Sequence, residues 1–212
     1  ERRVPPAAGE SMRTRLCDPS EAPAFLAGGG EAGALMRGYD WAASPLGPPE
    51  LWPQPLKTIV GVILAANQAM FVVWGPEQTM LYNDAYAEIL GGKHPEALGR
   101  PFFETWFELV DSVGPIMERG YAGEPTTMDD LELVMLRKGF PEETHFSFFY
   151  APLRDESAGR VEGVYCACVE ITERVFAERR AAFAARLDED LRELEDPRAV
   201  MKRAAATPAE RL

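Results

Sequence analysis

The spacing of apolar residues along the chain changes several times, and each period predicts a different kind of element. Between residues 55 and 68 the apolar positions recur at steps of three and four, which predicts an amphipathic helix. Two short runs, at 70–74 and 79–82, are rich in β-branched and aromatic residues and flank a Gly-Pro turn, so they predict a β-hairpin. Asn83 follows them and is a good N-cap for a helix over 84–90.

The next part of the pattern contains short helices followed by strands. We predict a helical turn at 94–99 and helices at 101–109 and 113–121. After Pro125 the period becomes two, which predicts strands at 128–136, 144–153 and 160–171. Two strands, a helical insert and three further strands predict an α+β fold on a five-stranded antiparallel sheet.

The N-terminal stretch differs from the rest in its many prolines. We predict that residues 1–54 form an extended leader with one short helix at 31–38, and that 55–68 is a helix flanking the sheet. Trp41 and Trp52 stand among the prolines of this leader. We expect their large side chains to be buried against an apolar surface.

A helical and strongly charged segment follows the last strand, at 173–195. Its apolar residues recur at steps of seven, four, four and three: Phe176, Phe183, Leu187, Leu191 and Leu194. This spacing is close to the heptad of a parallel two-stranded coiled coil, which would make the protein a homodimer. The alternative is a helix that folds back and buries the same stripe on its own sheet. Asp196 and Pro197 can begin a new helix, so 196–212 is predicted to start a following domain.

Composition and charge narrow the class of function. The chain has 22 Lys and Arg against 34 Asp and Glu, a formal charge of −12, which argues against binding to nucleic acid or to an anionic membrane. The mean hydropathy is −0.20, and no apolar run is long enough to span a membrane. The three cysteines cannot form a disulfide framework, and no secretion signal is recognisable, so we expect a cytoplasmic location.

Candidate chemistry is sparse. The two histidines, His94 and His145, and the three cysteines lack the spacing of a zinc site, so no metal site is predicted. Cys166 and Cys168 lie two residues apart on a predicted strand, so their side chains share one face, as those of two small core residues would. No motif pairs a nucleophile with a base, so we predict no catalytic site in this segment.

Several short motifs, in this order and spacing, resemble the PAS domain, a small bacterial sensor module. They are Leu81-Tyr82-Asn83-Asp84-Ala85, Leu98-Gly99-Arg100-Pro101-Phe102, Tyr150-Ala151-Pro152-Leu153-Arg154-Asp155 and Val169-Glu170-Ile171-Thr172-Glu173-Arg174. The resemblance covers about 69–174 and implies a PAS sensor domain at 69–172, followed by a signalling helix. The leader motifs and the Asp-Pro at 196–197 are similar to the segments around the first PAS domain of bacterial sensory histidine kinases. This similarity implies downstream GAF and kinase domains in the same protein, beyond Leu212.

The resemblance also implies where a ligand pocket would lie. In this family the residues two, four and six before the strand proline face the pocket, which carries over to Tyr150, Phe148 and Phe146. By strand alternation Val164, Cys166 and Cys168 face inward too, and Trp106 and Met117 are candidates from the helices. These residues describe either the wall of a cavity for a small apolar ligand or an aromatic core that fills the space.

Two cofactors of such domains are disfavoured by this sequence. Flavin-binding blue-light members resemble Asn-Cys-Arg-Phe-Leu-Gln on a helix where this chain has Phe-Phe-Glu-Thr-Trp-Phe at 102–107, so the cysteine adduct is excluded. Haem needs an axial ligand, usually His, and 113–121 has none. We therefore expect no resident cofactor and a role in sensing and signal relay. The alternative is a ligand-free dimerisation or docking module.

Overall fold

The computed structural model describes residues 23–192 of the 212-residue chain. The predictions for 1–22, for Leu194 of the apolar stripe and for the domain start at 196–212 lie outside the described residues. Within this range the α-helices are α1 Gly30–Gly38, α2 Gln54–Ala65, α3 Asp84–Leu90, α4 Phe102–Thr105, α5 Val110–Tyr121 and α6 Thr172–Arg192. The strands are β1 Ala69–Trp74, β2 Thr79–Tyr82, β3 Thr126–Met135, β4 Glu142–Asp155 and β5 Arg160–Glu170.

The five strands form one antiparallel sheet in the order β2-β1-β5-β4-β3, as the α+β prediction requires. The last strand in the sequence is therefore the central one. α3 and α5 pack on one face of the sheet, which we call the inner face, together with the short α4. α2 packs against β1, β2 and β4, and its buried residues are Leu56, Val60, Ile63 and Leu64. The periodicity of the flanking helix predicts this buried stripe.

Asn83 connects three elements by hydrogen bonds of its side chain. Its Oδ1 accepts from the backbone N–H of Tyr86, which caps α3, and from that of Met70 in β1, both at 3.1 Å. Its amide nitrogen donates to the carbonyl groups of Ile63 and Gln68, at 3.2 and 2.7 Å. The predicted N-cap is confirmed. The same bonds explain why α2 ends at Ala65 rather than at the predicted residue 68, since they hold the chain after α2 in a non-helical path.

One helical prediction is wrong in detail. The segment 101–109 is not one helix, because the chain turns at Trp106, where φ is −111°, between α4 and a 3-10 turn at Phe107–Leu109. This turn lets the indole of Trp106 become fully buried, with its Nε1 donating to the Tyr86 hydroxyl at 3.0 Å. α5 consequently begins at Val110, three residues earlier than the periodicity predicts. None of the described helices is both long and apolar enough to cross a membrane.

The two leader tryptophans are buried, as predicted. Trp41 is 3% exposed and Trp52 is 2% exposed, and their rings meet edge to face with centroids 5.0 Å apart. Each indole N–H donates to a backbone carbonyl, of Met36 at 2.7 Å and of Gly47 at 2.8 Å respectively. The leader thus belongs to the packed structure over the part that is described, and both polar ends of the indoles are satisfied.

Replacing Trp52 with Ala tests the contribution of the leader to stability. Because the side chain is buried and hydrogen-bonded, Trp52→Ala should lower the free energy of unfolding by about 3–5 kcal/mol in urea titrations. Its neighbour Leu51 is 78% exposed and provides the matched control. Leu51→Ala should change the same quantity by less than about 0.5 kcal/mol. Equal, small effects of the two substitutions would show that the leader only covers the surface.

Candidate functional site

A small cavity of about 40 Å³ lies between the inner face of the sheet and helices α3 to α5. The strands β4 and β5 form one wall, and their registers place Tyr150 opposite Cys166 and Phe148 opposite Cys168. Among the residues that the sequence predicts for a pocket, those that line the cavity are Trp106, Phe146, Phe148, Tyr150, Cys166 and Cys168. The strand alternation brings the five residues of β4 and β5 to this wall, and Trp106 reaches the cavity from the turn after α4.

Met117 and Val164 lie elsewhere. Both are fully buried, but neither lines the cavity. The reason is the close approach of α5 to β5 at Gly120, where an added Cβ would lie 2.8 Å from Val164 Cγ2. The second half of α5 thus covers the inner side of β5 at Val164, and the cavity is confined to the region of the first half of α5, at Val113.

Aromatic residues that the sequence analysis did not assign to a pocket complete the lining. Phe71 of β1 is the partner of Cys166 in the sheet, and its ring stacks on that of Phe102 with centroids 5.2 Å apart. The ring of Tyr86 lies 4.8 Å from Phe71, and the ring of Tyr150 meets Phe71 edge to face at 6.0 Å. The alternation along β1 could have identified Phe71. The positions of Tyr86 and Phe102 depend on where α3 and α4 cross the sheet.

The cavity is apolar and uncharged. The N–H of Trp106, the indole group nearest the cavity, donates to the Tyr86 hydroxyl and is therefore not free to bind a ligand. Burial raises the pKa values of Tyr86, Tyr150 and Cys166 well above their usual range, so these groups stay neutral. Cys168 donates weakly from Sγ to the carbonyl of Ala69, at 3.7 Å. A ligand here would be recognised by shape and apolar contact.

The end of β5 connects the cavity to α6. Cys168 lines the cavity, and α6 begins four positions later at Thr172. Between them Glu170 receives two hydrogen bonds from the guanidinium of Arg137, at 2.7 and 2.8 Å. Burial alone would raise the pKa of Glu170, but the Arg137 hydrogen bonds outweigh it and hold the pKa below its usual range. This carboxylate is therefore ionised and held at the start of the helix.

The start of α6 is also bound to β4. The backbone N–H of His145 donates to the Thr172 hydroxyl at 2.9 Å, and the N–H of Ile171 donates to the carbonyl of His145 at 2.8 Å. The ring of Phe176 lies edge to face with that of His145, with centroids 6.1 Å apart. The first turns of α6 thus fold onto the sheet of the same chain.

The later turns of α6 differ from the first. Phe183 and Leu187 are partly exposed, and among the described residues neither belongs to the hydrophobic core nor packs against it. The backbone of Leu191 continues the helix. The apolar stripe is therefore divided: Phe176 contacts the sheet, whereas Phe183 and Leu187 are not buried by the described part of the chain.

The comparison with protein families identifies the fold. The family model described as the PAS fold matches residues 63–175, more than half of the chain, and this chain belongs to the PAS family. The resemblance of residues 69–174 to a PAS domain is thereby confirmed. PAS domains are sensory signalling modules and are generally non-catalytic. A search of the curated proteins finds no match.

Among solved structures, the chain is similar to several with distant sequences. The chain is similar to the PAS domain of BvgS from Bordetella pertussis, with 21% identity over 62% of this chain and 96% of that one and a TM-score of 0.44. It is similar to a light-oxygen-voltage domain studied with a flavin analogue, with 20% identity, 59% and 95% coverage and a TM-score of 0.42. An RNA-binding light-oxygen-voltage receptor gives 22% identity over 68% of this chain, which spans 40% of that receptor, with a TM-score of 0.45.

Proposed function

We propose that this chain is the sensory and signal-relay PAS module of a cytoplasmic bacterial signal-transduction protein, a histidine kinase, and that it acts through α6. The observation that carries the proposal is the course of β5. This strand contributes Cys166 and Cys168 to the cavity wall and runs into α6 within a few residues. The family membership supports the sensory role, and the similarity of the leader to segments that precede PAS domains supports the kinase context.

The relay would operate by a shift of population between two packing states. A ligand in the cavity, or a partner on the sheet, changes how the aromatic rings pack against Cys168. The resulting displacement of β5 changes the geometry at Glu170 and Thr172, where hydrogen bonds hold the start of α6. Such a shift requires only that the ligand binds one packing state more tightly than the other.

The size of the cavity restricts the ligand. Pockets for drug-sized molecules measure roughly 300–1,000 Å³, whereas this cavity holds about 40 Å³. The ring systems of flavin and haem do not fit among the aromatic side chains as they are packed, and the lining includes no histidine for haem. The ligand that suits the site is an apolar molecule of a few heavy atoms, and a larger one would require Phe148 or Trp106 to move.

A ligand-free dimerisation or docking module is the second candidate. The small volume of the cavity favours it, because the rings of Phe71, Phe148 and Tyr150 already occupy most of the space by contacting each other. In that case the inner face would be a core with no role in input. The two candidates differ in whether a change in the cavity reaches α6.

A matched pair of substitutions in β5 separates the two. Cys168→Leu adds bulk to the cavity wall and should force the rings to repack. Hydrogen exchange of the first turns of α6 should then rise several-fold relative to exchange in α2. Val169 is adjacent, 49% exposed, and alternates to the other face, so Val169→Leu should leave exchange in α6 unchanged. Equal exchange in α6 for both variants would favour the ligand-free module.

We further propose that the protein is a homodimer through a parallel coiled coil of α6. The partly exposed Phe183 and Leu187 support this, since pairing two helices would bury both side chains. A seam of about three heptads is short, so it needs help from another contact. Phe149, which is 41% exposed on the outer side of the sheet, offers such a surface.

Charge substitutions in the stripe test the dimer. The wild type should be a dimer in light scattering at about 100 μM, and Phe183→Glu combined with Leu187→Glu should give a folded monomer. The control places the same charges on exposed positions of the same helix, Ala181→Glu with Ala185→Glu, and should remain dimeric. A monomeric wild type, or a dimeric stripe variant, would contradict the assignment.

A further inference from the structure

A group of charged side chains lies on the outer side of β3 and β4, beneath α6. Glu132 of β3 and His145 of β4 are direct partners in the sheet, so their side chains share one face. Glu143 lies two residues before His145 on the same face. Oxygen atoms of Glu132 and Glu143 and a ring nitrogen of His145 all lie within 4.8 Å of one another. Three groups that commonly bind metal ions therefore converge at one point.

The orientation of His145 suits metal binding. Its side chain is 3% exposed, and its Nδ1 lies 2.7 Å from Oδ1 of Asp130. A β-bulge between Met128 and Leu131 inserts the extra residue that brings Asp130 to this position. Because Nδ1 faces a carboxylate, Nε2 lies on the opposite edge of the ring, 3.2 Å from Glu143 Oε1. A carboxylate that fixes the ring in this way is the usual partner of a metal-binding histidine.

A positive charge already lies at the point of convergence. The guanidinium of Arg179, from α6, contacts Glu143 through Nη1. Its Nη2 lies 3.7 Å from Glu132 Oε2 and 3.3 Å from His145 Nε2. The same three groups thus surround one cation contributed by the helix, which shows independently of the ligand distances that the site favours positive charge.

We propose that Glu132, Glu143 and His145 form a binding site for a divalent transition-metal cation, which takes the place of the Arg179 guanidinium. One imidazole and two carboxylates suit ions such as Zn²⁺ better than Mg²⁺ or Ca²⁺, which prefer oxygen ligands alone. The side chains of Glu132 and Glu143 are 48% and 25% exposed, so an ion can enter from solvent. Water would complete the coordination.

Replacement of the Arg179 guanidinium by a metal ion has a consequence for α6. Arg179 binds this helix to the sheet, so an ion that displaces it removes that contact and leaves an unpaired cation on the helix. The metal site would therefore control the docking of α6, and this consequence alone rests on the proposed function. Binding of the ion itself does not depend on the role of α6, and the two can fail separately.

Calorimetric titration of the whole chain with Zn²⁺ tests the site. Glu132→Gln should weaken binding about tenfold or more, the range seen when the coordination environment of a metal is altered. Arg179→Gln should tighten binding several-fold, because it removes both a competitor and a like charge. The matched control is Arg174→Gln, which removes the same charge from an exposed position of the same helix and should leave the affinity unchanged.

Glu132→Gln should lower the affinity for Zn²⁺ and Arg179→Gln should raise it, and this opposition distinguishes the site from adventitious binding. Absence of saturable Zn²⁺ binding by the wild type would overturn the proposal. So would an affinity that Glu132→Gln leaves unchanged, since the ion would then be bound elsewhere, at Cys166 or His94 for example. Weaker binding by Arg179→Gln would also overturn it, because Arg179 would then support the ion rather than compete with it. Glu132 is half exposed, so its replacement should not prevent folding.

Discussion

The structure depends most on the position of β5 at the centre of the sheet. It pairs with β1 on one side and β4 on the other, so its displacement must alter both halves of the sheet. Successive residues of β5 have different neighbours: Val164 contacts α5, Cys166 and Cys168 line the cavity, and Glu170 binds Arg137. Because α6 follows β5 directly, a change in the packing of the inner face can reach the start of α6 along one continuous backbone.

The contacts at this junction are of a size that small inputs can change. A hydrogen bond to a charged group contributes about 1.5–3 kcal/mol, and two conformations of a signalling domain typically differ by a few kcal/mol. Arg137 with Glu170 and His145 with Thr172 together hold the start of α6. Loss or strain of one such contact could therefore change which state is populated. In the proposed relay the cavity acts on this junction from the inner face, and in the proposed metal site the charged group at Arg179 acts on α6 from the outer side of the sheet.

Much of this architecture could be predicted from local sequence. The hairpin, the Asn83 cap, the buried stripe of α2 and the inward alternation of Phe146, Phe148 and Tyr150 all follow from periodicity or capping chemistry. The errors arise where one element approaches another. Gly120 lets α5 cover Val164, and the turn at Trp106 divides a predicted helix so that an indole can be buried. The periodicity of a single segment shows neither how closely a helix approaches a strand nor where a turn allows a side chain to be buried.

The charged group under α6 could not be predicted from the sequence for the same reason. In the sequence His145 has Glu143 two residues before it, but no histidine or cysteine nearby gives the spacing of a zinc site. Its surroundings depend on the strand register with Glu132, on the β-bulge that positions Asp130 and on the path of α6, which brings Arg179 from a distant segment. Only the assembled sheet and helix bring these residues together.

The most direct test of the account is to load the cavity and observe α6. Xenon is apolar, small enough for a cavity of this size, and known to enter dry cavities in proteins. Under xenon pressure, amide chemical shifts measured by NMR should change along β5 from Cys166 to Glu170 and in α6 from Thr172 to Arg179, while those of α1 stay constant. Shift changes confined to the residues that line the cavity would contradict the claim that β5 carries a signal to the helix.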